Sequence, residues 1–310
     1  MHAVEVRELR KVYGDVAVVD GVSFDIEAGE VFALLGPNGA GKTTTVEILE
    51  GHREADGGTA TVLGHDPRRR ERAFRERIGI VLQEAGFEED FTVVELLRLQ
   101  RAMYSRRLDA DALVDLVGLG EKRRARVATL SGGQRRRLDL ALGLVGDPEI
   151  EFLDEPTVGF DPEARRRAWA VIEELKALGK TVLLTTHYLD EAQQLADRVA
   201  IMVAGRLAAL GTPAELAAAE HATVVTFRLT GALAASAAPD VGAPLVEEGA
   251  GWRLATEHPS AALRTLTDWA ARNGGELEAL EVRRPTLEDA YLALVGSAAN
   301  HSAEAAEVSA

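Results

Sequence analysis

Short, nearly continuous apolar runs alternate with helical stretches from the start of the chain to about residue 215. Three of these runs, at residues 31–35, 78–82 and 181–185, are rich in β-branched residues. Such runs predict strands that are covered on both faces, as in a mainly parallel sheet. Between residues 88 and 126 the apolar spacing becomes helical, which predicts a helical subdomain inserted into an α/β fold.

The pattern restarts near residue 223 and predicts a second, smaller domain. Residues 224–229 and 277–282 have strand-like spacing, and residues 261–272 and 287–294 have helical spacing. We therefore predict a main α/β domain over 1–220, with its helical subdomain at about 86–145. A small α+β accessory domain is expected over 221–296. The Ala-, Ser- and Glu-rich segment 297–310 has little to bury and is expected to be a disordered tail.

Composition narrows the classes of function. The formal net charge of −15 argues against a general nucleic-acid binder, which needs a basic surface, and the arginine-rich stretch 68–77 is interrupted by glutamates. The chain contains no cysteine, so it has neither disulfides nor thiolate metal sites, as suits a reducing cytosol. No apolar run reaches the ~18 residues of a membrane span, and the first residues do not resemble a secretory signal. Any membrane role is expected to come through a partner.

A phosphate-binding loop is predicted at residues 36–43, which read GPNGAGKT and fit the pattern G-x-x-x-x-G-K-[ST]. The segment lies between a predicted buried strand and a predicted helix at 43–50. Glycines let successive backbone N–H groups point at phosphate oxygens, at the positive end of the helix dipole. The lysine would reach the β- and γ-phosphates, and the threonine hydroxyl would bind Mg²⁺. The predicted nucleotide contacts in this region are Asn38, Gly39, Gly41, Lys42, Thr43 and Thr44.

Four further polar side chains follow predicted strands. Asp154 would hold Mg²⁺, and Glu155 would orient and deprotonate the attacking water as a general base. Gln83 could contact both Mg²⁺ and that water, and His187 could contact the γ-phosphate. Chemistry on an open α/β sheet is found at the carboxyl ends of its strands. We therefore expect ATP hydrolysis at this edge of the sheet, with Thr43, Gln83 and Asp154 around the metal.

Residues 130–134, LSGGQ, match the signature sequence of ABC-transporter nucleotide-binding subunits and lie between Gln83 and Asp154, as in that family. The resemblance covers at least residues 4–213. It implies a P-loop ATPase with a mainly parallel sheet, an inserted helical subdomain and a small α+β C-terminal appendage. It also implies that Tyr13 stacks on adenine and that the loop containing Asp161 crosses between two cassettes. In similar proteins two cassettes bind head to tail, and the signature of one meets the ATP of the other through Ser131, Gly132, Gly133 and Gln134.

The finer resemblance is to the ATP-binding subunits of drug and antibiotic exporters of the daunorubicin-resistance type, on residues 134–141, 185–192 and 284–291. These segments are less specific than the signature and are also similar to those of polysaccharide and lipid exporters. It implies an ATPase that powers export through separate permease subunits, on the cytoplasmic face of the cell membrane. The second cassette would be another copy or a similar chain, and no nucleic acid is expected. The alternative is a soluble ABC-type ATPase in translation or DNA repair. Those relatives tend to carry two cassettes or a long coiled-coil insertion, and neither is visible here.

Two positions depart from the family pattern. Glu151 places a carboxylate inside a predicted strand, where burial without a partner would be costly, so we expect it to face an edge or to be paired. Phe160 replaces the commoner leucine, which we expect to be tolerated. The arginines at 135–137, just after the signature, either contribute to the field at the opposing ATP or face water.

Overall fold

The computed structural model describes residues 1–81, 86, 88–219, 223–230, 238–249 and 251–296. Two predicted features, Gln83 and the tail at 297–310, lie outside this range. The chain divides into two compact units after Pro213. The strands of the first unit are β1 (His2–Tyr13), β2 (Val16–Glu27), β3 (Val31–Leu35), β4 (Gly57–Val62), β5 (Ile78–Val81), β6 (Ile150–Asp154), β7 (Thr181–Thr186), β8 (Arg198–Val203) and β9 (Arg206–Gly211).

Helices connect these strands and cover the sheets. None of the helices in the described part of the chain is long and apolar enough to cross a membrane. Those that precede or begin the second unit are α1 (Lys42–Leu49), α2 (Arg72–Arg75), α3 (Val93–Arg101), α4 (Ala110–Leu116), α5 (Gly132–Leu144), α6 (Pro162–Ala177), α7 (Leu189–Leu195) and α8 (Pro213–Ala219).

The main sheet has six strands in the order β5-β6-β7-β3-β8-β9, all parallel except β9. A second, antiparallel sheet of order β2-β1-β4 had not been assigned from the sequence. The two sheets share one apolar core that includes α1. Phe24 of β2 stacks on Phe32 of β3 with ring centroids 5.2 Å apart. The predicted α/β fold with a mainly parallel sheet is confirmed.

The helices α3, α4 and α5 form the inserted helical part of the first unit. Leu97, Leu113 and Leu138, one from each helix, are buried. Two of the helices start with a capping box, in which Thr92 is paired with Glu95 and Ser131 with Gln134. The start of α5 is therefore fixed at the signature sequence.

The second unit is a four-stranded antiparallel sheet with helices. Val225, Phe227, Leu254 and Leu266 form its core. The sheet has the order β11-β12-β10-β13. Its elements are β10 (Thr223–Leu229), β11 (Leu245–Glu248), β12 (Gly251–Thr256), α9 (Pro259–Arg272), β13 (Leu277–Arg283) and α10, residues 287–296.

Asp289 ties α10 to the sheet of the second unit. Its carboxylate accepts hydrogen bonds from Arg253 at 2.8 Å and Arg283 at 2.5 Å. It also accepts from the backbone N–H and the hydroxyl of Thr286, both at 2.8 Å. Burial alone would raise the pKa of Asp289, but these hydrogen bonds outweigh burial and lower the pKa well below its usual range. The segment 284–291 therefore has a structural role, as the ionic anchor of α10.

Glu151 contradicts the expectation from the sequence. It lies in β6, between β5 and β7, is 1% exposed, and neither carboxyl oxygen has a hydrogen-bond partner among the residues that the structure describes. The prediction that it faces an edge or is paired was therefore wrong. The carboxyl group has room because residues 79 and 143 are glycines. A Cβ at either position would collide with it. Burial, and secondarily the Asp139 carboxylate, raise the pKa of Glu151 well above 4.5, which favours the neutral acid.

We expect Glu151→Gln to raise the free energy of unfolding, and by more at pH 8 than at pH 5. The pKa of Glu151 is higher in the folded chain than in the unfolded chain. As pH rises above about 4.5, the unfolded chain therefore loses the carboxyl proton before the folded chain does, and the free energy of unfolding of the wild type falls. Glutamine does not titrate and removes this loss. The gain at pH 8 should be on the order of 1–3 kcal/mol, measured by urea unfolding.

The matched control is Glu149→Gln, two residues earlier. Hydrogen bonds from Arg77 lower the pKa of Glu149, so this variant should lose stability at neutral pH. A gain for Glu151→Gln that does not grow between pH 5 and pH 8 would show that the Glu151 carboxyl ionises in the fold without cost.

Candidate functional site

The parallel strands bring several predicted site residues to one edge of the main sheet. β3 leads into the phosphate-binding loop, β6 ends at Asp154, and β7 leads to His187. In the parallel register Leu35 lies opposite Thr186, and Asp154 lies opposite Thr185. The expected convergence at the carboxyl ends of the strands is therefore seen for the described residues.

The phosphate-binding loop lies against the backbone of two strands. A Cβ at Gly36 would collide with the carbonyl oxygen of Met202 in β8. A Cβ at Gly41 would collide with the carbonyl oxygen of Val18 in β2, and Gly41 also has φ of +95°. Both glycines are therefore required by close approach, and together they fix the loop at the N-terminus of α1.

Lys42 is the buried cation of the loop, with an exposure of 5%. Its Nζ donates to the carbonyl oxygens of Gly36 at 2.8 Å and Pro37 at 3.2 Å, and lies 4.0 Å from Glu155 Oε1. Burial lowers the pKa of Lys42, and the Glu155 and Asp154 carboxylates act in the opposite direction. The other predicted loop contacts are accessible in varying degree: Asn38, Gly39 and Thr43 are exposed, and Thr44 is half-buried.

Oxygen atoms suited to Mg²⁺ meet between α1 and β6. The Thr43 hydroxyl lies 3.3 Å from Asp154 Oδ1, and the Thr185 hydroxyl donates a short hydrogen bond to the same oxygen. A carboxylate and a hydroxyl at a phosphate-binding loop are ligands that Mg²⁺ accepts beside phosphate oxygens.

Glu50, the residue after α1, is a further buried acid near Asp154. Burial, and then the nearby Asp154, raise the pKa of Glu50 to about 8.

Glu155 lies between a histidine and a lysine. Its Oε1 is 3.2 Å from His187 Nδ1, besides the approach to Lys42 already described. Its backbone has φ of +48°, a left-handed conformation that costs free energy for a residue with a side chain. The Glu155 N–H donates to both the carbonyl and the hydroxyl oxygen of Thr185, at 3.2 and 3.0 Å. The carboxylate is therefore held near the phosphate-binding loop.

Tyr13 lies at the end of β1, 40% exposed, with two cations over its ring. Lys11 Nζ and Arg53 Cζ are 5.6 and 5.4 Å from the ring centroid. Asp56 accepts from Lys11 Nζ at 3.0 Å and from the Val12 N–H at 2.7 Å. These bonds fix the strand end that carries Tyr13 and leave an accessible aromatic ring.

The signature residues form the start of α5. The Ser131 hydroxyl accepts from the Gln134 N–H at 3.3 Å, and Gln134 Oε1 accepts from the Ser131 N–H at 3.0 Å. Gly132 and Gly133 are the first two residues of the helix. Asp161 caps α6 by accepting from two backbone N–H groups. Within the described ranges, no hydrogen bond or ion pair joins these residues to Lys42 or Glu155.

Two contacting residues, Thr185 and Arg53, had not been assigned from the sequence, and Arg136 makes contacts that neither role considered for residues 135–137 includes. Thr185 donates to the Asp154 carboxylate and accepts from the backbone N–H of Glu155, and Arg53 lies over Tyr13. Arg136 donates to the carbonyl oxygens of Asp154, Glu155 and Pro156 at 2.8, 3.3 and 3.3 Å. No local motif identifies these roles, because each depends on segments that are distant in the sequence.

Comparison with known proteins identifies the family. A family model described as ABC transporter matches residues 19–158, and a model for the C-terminal domain of ABC transporter domain-containing proteins matches residues 223–286. The chain is 39% identical to the daunorubicin/doxorubicin resistance ATP-binding protein DrrA of Streptomyces peucetius, over 98% of this chain and 96% of that protein. The chain belongs to the ABC transporter ATP-binding family. Members of this family hydrolyse ATP, and the prediction of an ABC-type ATPase is confirmed.

Other relatives of this ABC cassette support the same family assignment. It is 44% identical to the Nod factor export ATP-binding protein I of Paraburkholderia xenovorans, over 70% of this chain and 73% of that protein. A solved ATP-binding subunit of an ABC transporter matches with TM-score 0.62 and 29% identity, over 70% of this chain and 92% of that one. A dimeric ATP-binding cassette with bound ADP and Pi, 22% identical with TM-score 0.62, has the same fold over 67% of this chain and 98% of that one.

We expect Tyr13→Ala to weaken ATP binding roughly tenfold, because one base-stacking contact contributes about 1–3 kcal/mol. Tyr13→Trp keeps an aromatic face and should bind ATP nearly as tightly as the wild type. Both dissociation constants can be measured by isothermal titration calorimetry. Unchanged affinity in Tyr13→Ala would place the adenine away from this ring.

Proposed function

We propose that this ABC cassette powers the export of a small, drug- or antibiotic-like molecule through separate membrane permease subunits. The observation that carries the proposal is the convergence of Lys42, Asp154, Glu155 and His187 at one sheet edge. It occurs in a chain that aligns over nearly its full length with a daunorubicin/doxorubicin resistance ATP-binding protein. ATP hydrolysis at this edge would then be the energy source, and the protein would lie on the cytoplasmic face of the membrane.

The phosphate-binding loop would hold the nucleotide. Lys42 would exchange its bonds to loop carbonyls for the β- and γ-phosphates, and the loop N–H groups would bind phosphate oxygens. Tyr13 would stack on the adenine. Mg²⁺, when bound, neutralises charge on the phosphates, and Thr43 and Asp154 would hold it. Gln83 is proposed to join them, although it lies outside the described residues.

Hydrolysis would depend on the carboxylate of Glu155. A water hydrogen-bonded to this carboxylate is oriented for attack and can lose its proton to it. The His187 Nδ1 bond to Glu155 Oε1 restrains both side chains, and the other ring nitrogen of His187 would contact the γ-phosphate. Lys42 offsets the negative charge that develops as the phosphoryl group transfers.

A second cassette would complete each ATP site. The signature residues Ser131, Gly132, Gly133 and Gln134 have no bond to their own phosphate-binding loop in the described structure, and they form a helix N-terminus. Such an N-terminus can bind the γ-phosphate of an ATP held by another cassette. Asp161, at the start of α6, would lie near the crossing between the two cassettes. ATP would thus join the subunits, and hydrolysis would release them.

The permease is the decisive partner, and its recovery tests the proposal. The tagged chain is isolated from detergent-solubilised native membranes, and bound proteins are identified by mass spectrometry. Stoichiometric recovery of a polytopic membrane protein is expected. Recovery of ribosomes or DNA-repair factors instead would favour a soluble ABC-type ATPase, which the comparisons do not favour, and would overturn the export proposal.

Glu155→Gln should abolish turnover while ATP still binds. A glutamine keeps the shape of the side chain but cannot take the proton of water, so kcat should fall by about 100- to 10,000-fold. Because ATP remains intact, the closed dimer should accumulate and be visible by size-exclusion chromatography with light scattering. Hydrolysis at the wild-type rate would remove Glu155 from the role of general base.

A further inference from the structure

Arg136 joins the signature helix to the backbone of the proposed general base. It is the fifth residue of α5, one turn after Ser131, and its side chain is 13% exposed. Nη2 donates to the carbonyl oxygens of Asp154 at 2.8 Å and Glu155 at 3.3 Å, and Nε donates to that of Pro156 at 3.3 Å. One guanidinium therefore contacts three consecutive peptide groups.

A salt bridge orients this guanidinium. Asp139, one turn further along α5, accepts from Arg136 Nη1 at 3.1 Å. Arginine presents several donors in a rigid plane, so fixing one side of the plane also fixes the donors on the other. The donors are thereby directed at residues 154–156.

Glu155 needs this restraint because of its backbone conformation. At φ of +48° its peptide is in a conformation that a side-chain-bearing residue adopts only when its surroundings impose it. Thr185 binds the N–H of Glu155, and Arg136 binds its carbonyl oxygen. The two contacts hold the residue from opposite ends of its backbone, one from β7 and one from α5.

We propose that Arg136 is a positioning residue for Glu155 and that it carries coupling between the two ATP sites of the dimer. The inference rests on the proposed general-base role of Glu155 and on the proposed dimer. The start of α5 would contact the ATP of the opposite cassette, and one turn later the same helix holds the general base of its own cassette. A movement of α5 on closure would therefore reach the carboxylate that acts on the cassette's own ATP.

A different role would be purely electrostatic, with the positive charge of Arg136 acting on the opposite ATP. The two roles predict different results for a conservative change. Arg136→Lys keeps the charge but loses the planar donors, so a positioning role predicts a lasting defect. An electrostatic role predicts near-normal activity.

The first measurement is steady-state ATPase activity of the full chain, or of its permease complex, with Arg136→Gln and Arg136→Lys. We expect kcat to fall by about 100-fold in Arg136→Gln, as for a misplaced catalytic group. KM for ATP and the ATP dissociation constant should change little. Arg136→Lys should stay well below wild type. Activity near wild type in Arg136→Lys, or a loss confined to KM, would overturn the proposal.

Arg135→Gln is the matched control. Arg135 precedes Arg136 in α5 and carries the same charge, but it contacts Glu89 and the carbonyl oxygens of Ala128 and Leu130. Its loss should leave kcat far less affected. An equal fall of kcat in Arg135→Gln would indicate a general charge effect and contradict a specific role of Arg136.

Mixed dimers distinguish an effect of Arg136 on the ATP site of its own chain from an effect on the ATP site of the other chain. Two differently tagged chains are purified together, and one carries Glu155→Gln, so that only one site can hydrolyse ATP. Arg136→Gln is then placed either in the chain with intact Glu155 or in the chain that presents its signature to that site. We expect the loss in the first arrangement only. A loss that is equal or larger in the second arrangement would refute the inference.

The proposed function can fail separately. If the Glu155→Gln chain forms no ATP-dependent dimer, the second cassette is not another copy of this chain. The comparison of Arg136→Gln, Arg136→Lys and Arg135→Gln in the active complex then still decides whether Arg136 positions the base.

Discussion

The catalytic edge of this cassette depends on how closely the phosphate-binding loop approaches two neighbouring strands. Gly36 lies against the backbone of β8 and Gly41 against the backbone of β2. A side chain at either position would push the loop away from the sheet and move the start of α1 with it. Lys42 and Thr43, the first residues of α1, reach the acids at the end of β6 only because this approach is so close.

The charged groups at this edge interact mainly with one another, because several of them are shielded from water. Lys42 is buried, and its charged form is favoured by Glu155 and Asp154. Glu50 carries a raised pKa because it is buried beside Asp154. A polyanion that enters such a place meets a lysine that is already buried, so pairing with Lys42 adds no further cost of removing the cation from water. The strained backbone of Glu155 persists in this setting because both of its peptide groups are hydrogen-bonded.

The sequence alone predicts features whose residues lie within one segment of the chain. The strand–loop–helix at residues 31–50, the two acids at the end of β6 and the start of α5 each combine a local pattern with a local chemical reason. Contacts between distant segments were not predictable in this way. The approach of Arg136 to the carbonyls after β6 depends on the path of α5. Tyr13 was predicted only through family resemblance, since of the two cations over its ring Lys11 is a neighbour in β1 but Arg53 comes from a distant segment.

The error at Glu151 has the same origin. The argument that a buried carboxylate needs a partner is sound for the ionised group, but it assumes that the surroundings are fixed and apolar. Here Gly79 and Gly143, 72 and 8 residues away in the chain, leave room for the side chain, and burial raises its pKa. Neither glycine could be connected with position 151 from spacing alone.

The three residues also constrain how this sequence can change through evolution. While Glu151 is present, any larger residue at Gly79 or Gly143 meets its carboxyl group. A shorter apolar residue at 151 would remove that collision, and alanine at either glycine position would then require only a shift away from the Gly143 carbonyl oxygen or from the Val81 side chain. Once a side chain has entered, return of the glutamate would be blocked. Descendants of this chain can therefore lose the buried acid easily and regain it only by reversing their steps in order.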